Sequence, residues 1–319
     1  MSFAAEARAE IAHAPIDQAC CARAELAAAL LASSGISIHG KGIFRLSLSS
    51  SEATIVRRYF SIAKRYFGVT CEIRVSRSDR LSGQTRYQLV IPDEHAKALL
   101  REARLLDESA PFGVRMAPDG SLFRFACCRT AYLRAAFLFC GTISNPDKSY
   151  HIEFDAPSEQ FAQSITESLR YFEIHAKNTC RKTKEVVYLK GSEGVADVLT
   201  LLGAHACVLA FENVRIAKEL RGNINRQVNC DSSNINRAMM SAEKQIEDIR
   251  FIDSQLGLHR LPGTLRSVAE ARLQNPDISL AGLGELMNPP LGKSGVNARL
   301  RRIADVADRL RSGEEIDLS

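Results

Sequence analysis

The chain contains no apolar run of the ~18–20 residues needed to cross a bilayer. Its longest apolar stretch, residues 131–143, is interrupted by Arg134. Nor does it begin like a secretory signal, because Glu6, Arg8 and Glu10 fall in its first helix-like turns. No CxxC pair occurs, and the seven histidines are scattered, none at finger-like spacing and none beside Cys, Ser or acids in a catalytic pattern. A phosphate-binding loop is missing as well. The nearest candidate, Gly191, Ser192, Glu193 and Gly194, lacks a following Lys-Ser/Thr and reads as a strand-to-helix turn. The nine cysteines are an odd number in a long chain, so unpaired thiols and a reducing cytosol are expected.

What is present describes a folded protein of two or three domains: 319 residues, 45% hydrophobic and 25% charged. The net charge of +5 permits a nucleic-acid partner without singling one out, so its distribution carries more information than its sum. The chain also repeats itself. Residues 127–144, CCRTAYLRAAFLFCGTIS, lie over residues 20–37, CCARAELAAALLASSGIS, at an offset of 107. Cys127/Cys20, Cys128/Cys21, Ala131/Ala24, Leu133/Leu26, Ala135/Ala28, Ile143/Ile36 and Ser144/Ser37 coincide without a gap, and Ser51–Glu52 meets Ser158–Glu159. The apolar alternation of Phe44, Leu46 and Leu48, however, falls one residue out of phase with Ile152 and Phe154. A period of this length corresponds to one half of a duplicated domain.

Taken in order, a first amphipathic segment ends near Pro15, and an Ala-rich helix follows at 22–33. Gly35, Gly40 and Gly42 mark a turn, and residues 42–49 alternate like a strand. Ile55, Tyr59, Ile62, Ala63 and Tyr66 set a helix over 54–67. Strands at 69–75 and 87–91, joined through 78–84, precede a helix running to about residue 106, with Pro92, Asp93 and Glu94 suiting its first turn. The second copy repeats this order: helix 130–140, a turn at Asn145–Pro146–Asp147, strand 150–155, helix 159–172, strands 174–179 and 185–189, and helix 195–202. Neither half completes a core alone, which favours two α+β halves packed as a pseudo-dimer. From about Phe211 to Ser254 the period is helical throughout. Three helix-like pieces follow at 264–274, 280–287 and 294–310, separated by Asn-Pro-Asp and Asn-Pro-Pro turns. The domains expected are thus 1–106, 107–205, a helical linker at 206–258, and 259–319.

The last three helices match a helix-turn-helix module. In the third, Val296, Leu300, Ile303, Ala307 and Leu310 form one apolar stripe, and Ser294 stands where an N-cap belongs. Ser294, Asn297, Ala298, Arg301 and Arg302 fall away from that stripe. Lys293, Arg299, Arg301 and Arg302 make the amino-terminal half basic, whereas Asp305 and Asp308 come later. That polarity suits entry of the front of the helix into DNA; a solvated helix face is the competing reading. In the middle segment Arg215, Lys218, Arg221, Arg226 and Arg237 are interleaved with Asn223, Asn225, Gln227, Asn229, Asn234 and Asn236. Such groups bind phosphates and base edges, but asparagines also cap and join helices. A third basic stretch places Arg74, Arg77, Arg80 and Arg86 on or between strands, as one face for a duplex or as solvated strand edges.

Cys20, Cys21, Cys127 and Cys128 stand at the front of the two repeated helices, and a pseudo-two-fold crossing would bring them near each other. They read as a zinc or redox site or, because adjacent Cys pairs seldom give good tetrahedral geometry, as small buried side chains. The expectation is therefore no metal, no cofactor and no catalytic residue.

Helix, strand, helix and strand pair resemble the LAGLIDADG homing-endonuclease fold, with LRAAFLFCG from Leu133 and LAAALLASS from Leu26 in the place of its nonapeptide. The resemblance implies that Ala27, Ala28, Ala29, Ala135 and Ala136 let two backbones approach. The family's metal-binding acid is the eighth residue of the motif, and those positions hold Ser33 and Cys140. From end to end the chain resembles more closely the WhiA transcription regulators of Gram-positive bacteria. The matching stretches include MSFAAEARAEIAH, VVYLKGSEGVADVLTLLGAH, ENVRIAKELRGNINRQVNCDSSNINRAMMSAEKQIEDI and LAGLGELMNPPLGKSGVNARLRRI. Two departures are Gly282 and Gly284 inside a helix, each costing roughly 1 kcal/mol against Ala, and Cys140 where the family usually has Gly.

The reading that results is an α+β protein: a duplicated LAGLIDADG-like αββαββα pseudo-dimer followed by an all-α helix-turn-helix domain. It implies a non-enzymatic, cytoplasmic and nucleoid-associated regulator of cell division, chromosome segregation and, in sporulating relatives, sporulation genes. Promoter DNA is the expected partner, with another regulatory protein as a further candidate. The DNA-binding residues expected are Lys293, Ser294, Asn297, Arg299, Arg301, Arg302, Arg221, Asn225, Arg226, Arg237, Arg74 and Arg77. The competing readings are a protein- or ligand-binding scaffold with incidental DNA contact and a divergent metal-dependent endonuclease.

Overall fold

The repeated Ala-rich stretches have no polar side long enough to face water, and in the computed structural model both are buried helices. The structure describes residues 2–16, 18–39, 43–77, 85–107, 109–110, 112–182 and 184–314. It divides into two compact units, Met1–Lys218 and Glu219–Ser319. None of the described helices is long and apolar enough to cross a membrane.

In the first unit, α1 (Phe3–His13) precedes two copies of one arrangement. The first copy contains α2 (Ala19–Ala32), β1 (Ile36–His39), β2 (Ile43–Ser50), α3 (Ala53–Phe67), β3 (Glu72–Arg77), β4 (Thr85–Ile91) and α4 (Asp93–Glu102). The second contains α5 (Ala126–Cys140), β5 (Gly141–Ile143), β6 (His151–Ala156), α6 (Glu159–Tyr171), β7 (Lys177–Arg181), β8 (Lys184–Lys190) and α7 (Ser192–Leu202). Both sheets are antiparallel, with orders β1-β2-β4-β3 and β5-β6-β8-β7, so the duplication extends to topology. The phase slip has a simple origin. Ile36 pairs with Leu46, ten residues on, whereas Ile143 pairs with Ile152, nine residues on. The second hairpin is one residue shorter, and this returns Ile152 and Phe154 to the core face.

Two expectations are corrected. Residues 36–39, taken as part of a turn, form β1, an edge strand too short to show a period. The helix expected to reach residue 106 ends at Glu102. Arg104 takes a left-handed conformation, and Leu105 and Leu106 donate back to the Leu100 carbonyl. The chain then leaves to pair with the segment around Arg115.

Helices α2 and α5 pack against each other. Ala27, Ala28, Ala29, Ala135 and Ala136 are all completely buried, as close approach of two backbones requires. One charge sits inside this apolar layer. Glu25 of α2 is wholly buried and receives Arg58 of α3 through two bonds of 2.8 and 2.6 Å. Arg134 of α5 reaches the same carboxylate at 3.2 Å. Arg58 also donates to the Ala12 and Ala14 carbonyls, and Arg134 to that of Leu202. Glu25 therefore ties the ends of α1 and α7 to the helix pair.

In the second unit, the carboxy-terminal part of α8 (His205–Leu256) packs with α9 (Gly263–Gln274), α10 (Leu280–Glu285) and α11 (Lys293–Arg311). Its core joins Ile249, Ile252, Leu265, Val268, Leu283 and Val296 with further apolar side chains.

Replacing Glu25 by Ala would leave two buried guanidinium groups uncompensated, with side chains only 7% and 12% exposed. The expected loss is about 3–5 kcal/mol, read as a lowered urea midpoint of the first unit. An unchanged midpoint would show that water reaches and screens the cluster.

Candidate nucleic-acid interface

The third helix of the terminal module is held by its apolar stripe: Val296, Leu300, Ile303 and Ala307 are buried, and Leu310 is half-buried. The opposite side follows from the 3.6-residue turn. Lys293, Ser294, Ala298, Arg301 and Arg302 are exposed, while Asn297 and Arg299 are half-buried at the edges of the stripe. Among the described residues, no carboxylate pairs with Lys293, Arg299, Arg301 or Arg302. Further along, Arg309 is held by Glu314 at 2.9 Å, and Arg311 by Asp248 at 2.7 Å and Asp308 at 2.9 Å. The front of α11 thus offers unneutralised cations, and the back is spent on structure. Its first turn contains no acid, so the exposed backbone N–H groups add to the positive end of the helix.

Ser294 is not the N-cap. The helix starts at Lys293, and Gly292 is the cap without a side-chain bond, so Ser294 lies one position inside and its hydroxyl is directed outward. The turn before α11 explains this start. Leu291 donates to the Gly284 carbonyl at 2.9 Å, closing the turn directly against α10. A Cβ at residue 284 would lie 2.0 Å from the Leu291 carbonyl oxygen. Gly284, which looked like a weakness in the helix, is required for this approach. On the other side Arg272, 2% exposed, fixes the α9–α10 connection by donating to the Ile278 carbonyl at 2.7 Å.

The middle-segment residues Arg221, Asn225, Arg226 and Arg237 are exposed. They and the neighbouring amides lie within α8, not at helix ends, so the capping reading is corrected. The segment is helical although Asn is a poor helix former. Arg226 donates to Asn223 and Arg237 to Ser233, both bonds along the helix surface.

The first sheet does not gather its arginines on one face. Arg74 pairs in register with Gln88 and Ser76 with Arg86, so Arg74 and Arg86 share a face with Arg45, Ser47 and Ser49. Arg77, three residues from Arg74, falls on the other face because side chains alternate along a strand. Arg80 and the connection 78–84 lie outside the described residues. Arg74 is held by Glu72 at 2.8 Å, which keeps that carboxyl below its usual range, and Arg45 faces Asp93 at 3.2 Å. The equivalent face of the second sheet carries Glu153, bonded to His151 at 3.0 Å and Arg181 at 3.1 Å.

At the carboxy ends of the paired helices, the Ser33 hydroxyl donates to the Ala29 carbonyl at 2.6 Å and the Cys140 thiol to that of Ala136 at 3.1 Å. Burial pushes the Cys140 thiol up, so both groups are neutral and turned into their own helices.

Three family models match the chain: "WhiA N-terminal LAGLIDADG-like domain" over residues 19–106, "WhiA LAGLIDADG-like domain" over 129–221, and "WhiA C-terminal HTH domain" over 224–307. The "Probable cell division protein WhiA" of Desulforamulus reducens is 41% identical over 320 residues, covering 99% of this chain and 98% of its own. The protein of the same name from Caldicellulosiruptor saccharolyticus is 38% identical over 98% of this chain and 97% of its own. The crystal structure of full-length DUF199/WhiA from Thermatoga maritima superposes with a TM-score of 0.59 at 23% identity, over 97% of this chain and 99% of that one. At that identity the likeness establishes a shared fold.

The two glycines of α10 separate cleanly by experiment. Gly284→Ala is expected to destabilise the terminal module by about 1–3 kcal/mol, because its new methyl meets backbone. Gly282→Ala meets side-chain atoms alone, Ile278 Cγ2 at 3.1 Å and Ser279 Oγ at 3.6 Å, and should stay within about 1 kcal/mol of the parent. Calorimetric unfolding of both variants measures the difference, and equal effects would remove the Leu291 contact as the reason for Gly284.

Proposed function

We propose, from the premise that this chain belongs to the WhiA family, that it is a sequence-specific, promoter-binding transcription regulator without nuclease activity. The observation that carries this reading is the front of α11, where four basic residues without carboxylate partners among the described residues accompany Ser294 and Asn297 on a well-anchored helix. Arg301 and Asn297 are suited to base edges in the major groove, and Lys293 with the helix amino terminus to phosphate. Arg299 and Arg302 flank that surface. Arg221, Asn225, Arg226 and Arg237 would add contacts along the backbone of the duplex. Arg74 and Arg77 have a smaller part, since one is already paired and the two face opposite ways.

The regulated genes are proposed to be those of cell division and chromosome segregation, and of spore formation in sporulating relatives. The name carried by the Desulforamulus and Caldicellulosiruptor relatives supports the first of these. A cytoplasmic, nucleoid-associated location goes with a promoter partner. Ser33 and Cys140 support the absence of cleavage, because phosphodiester hydrolysis by paired helices of this kind relies on carboxylates to hold divalent metal.

Gel-shift titrations against promoter fragments test the reading. Arg301→Ala should abolish the preference for specific over random duplex, costing about 1–3 kcal/mol of discrimination. Lys293→Ala should weaken binding to every sequence and lower the salt slope by about one. Unchanged specific affinity in Arg301→Ala would remove α11 from recognition, and magnesium-dependent nicking of a plasmid by the purified chain would sink the non-enzymatic reading.

A further inference from the structure

The amino ends of α2 and α5 carry a feature that DNA recognition does not use. Cys20 and Cys21 fall in the first turn of α2, and Cys127 and Cys128 in the first turn of α5. The four Sγ atoms all lie within 4.8 Å of one another. The two pairs face each other across the crossing of α2 and α5, as the pseudo-two-fold relation of the helices requires. Adjacent cysteines on one helix are poorly placed to converge by themselves. Two such pairs facing each other across a close helix crossing supply the convergence.

We infer that these four cysteines form a tetrathiolate site for a soft divalent cation, zinc being the ion it fits. Four ligands with Zn–S bonds of ~2.3 Å place neighbouring sulfurs about 3.8 Å apart, so the observed cluster needs only a small contraction. The donor set is all sulfur, which selects against magnesium and calcium. Packing alone does not explain it, because Cys127 is exposed and Cys20 half-buried, whereas Cys21 and Cys128 are buried. The exposed side gives the ion a way in, and the buried side gives it a dry floor.

The surroundings suit thiolates. Neither helix has a side-chain cap or an acid in its first turn, so two sets of unsatisfied N–H groups lie beside the sulfurs. Gln18, the residue before α2, accepts from Cys20 at 3.2 Å and from Cys127 at 3.8 Å through one oxygen. Rotation of that amide would present its N–H₂ to the same sulfurs once they are ionised. Binding replaces four S–H bonds by four metal–sulfur bonds and releases four protons to solvent, with no change of oxidation state. The ion would join the two halves of the duplicated domain at the end of the helix pair opposite Ser33 and Cys140.

The test uses tag-free, full-length protein kept reduced by a phosphine, titrated with zinc and separately with cobalt(II). One zinc per chain is expected, together with the sulfur-to-cobalt charge-transfer band and the visible bands of a tetrahedral site. Zinc should raise the unfolding temperature of the parent chain. Cys127→Ser, at an exposed position that the fold tolerates, should lose the charge-transfer intensity and the thermal shift, and Cys230→Ser on α8 should keep both. Cobalt spectra without thiolate bands, or metal content unchanged in a Cys20→Ser/Cys127→Ser double variant, would overturn the site. DNA affinity is read separately by gel shift, so either result leaves the reading of α11 standing on its own data.

Discussion

The close packing of α2 against α5 is the constraint on which the first unit depends. Two helices approach backbone to backbone only if the residues between them are small, and the completely buried alanines of both helices meet that demand. Small residues contribute little apolar area, so the crossing draws strength from elsewhere. Glu25 provides part of it, because a buried carboxylate held by Arg58 and Arg134 links three helices in a single geometry. Buried ion pairs add little net stability over apolar packing, but they penalise every arrangement that separates the partners. The cluster thus fixes how the halves meet more than how strongly they adhere.

Much of this was legible in the sequence, and the failures have physical causes. The repeat at 107 residues predicted two equal halves, and its phase slip marked a hairpin shortened by one residue. The edge strand at Ile36–His39 was hidden because its four residues, between Gly35 and Gly40, are too few for their alternation to stand out from a turn. The place of Arg77 follows from the sequence itself: an odd separation from Arg74 along a strand changes faces. Ser294 resembled a cap because caps are recognised locally, whereas the start of α11 is set by a turn seated on Gly284, seven residues before Leu291. The importance of Gly284 and Glu25 could not be read from neighbours in the chain. Each acts through a contact that only the folded topology creates.

The two halves joined by this crossing carry unequal surfaces. Both sheets descend from one plan, yet the outer face of the first carries serines and arginines, and that of the second carries Glu153 bound to His151 and Arg181. A duplex favours cations that are free to replace its counterions, and an arginine already held by a carboxylate gives up that pairing to do so. By this criterion Arg74 and Arg45 are weaker candidates than their charge suggests. The front of α11 meets the criterion without such a cost.

Charge pairing therefore orders the basic surfaces where charge counting does not. Three stretches of the sequence are rich in Arg and Lys, and each presents exposed cations among the described residues. In the sheet, Arg74 is matched by Glu72 and Arg45 by Asp93 at the start of α4. Along α8, Arg226 and Arg237 turn to neighbouring side chains of their own helix. Among the described residues of these three stretches, it is on α11 that cations without a carboxylate partner coincide with a helix amino terminus and with a core stripe that fixes their direction. Recognition of particular base edges needs that rigidity, since a mobile arginine selects charge but not sequence. The duplicated domain has Ser33 and Cys140 where the homing-endonuclease motif has its acids, and on the proposed reading it is a framework, with recognition left to α11.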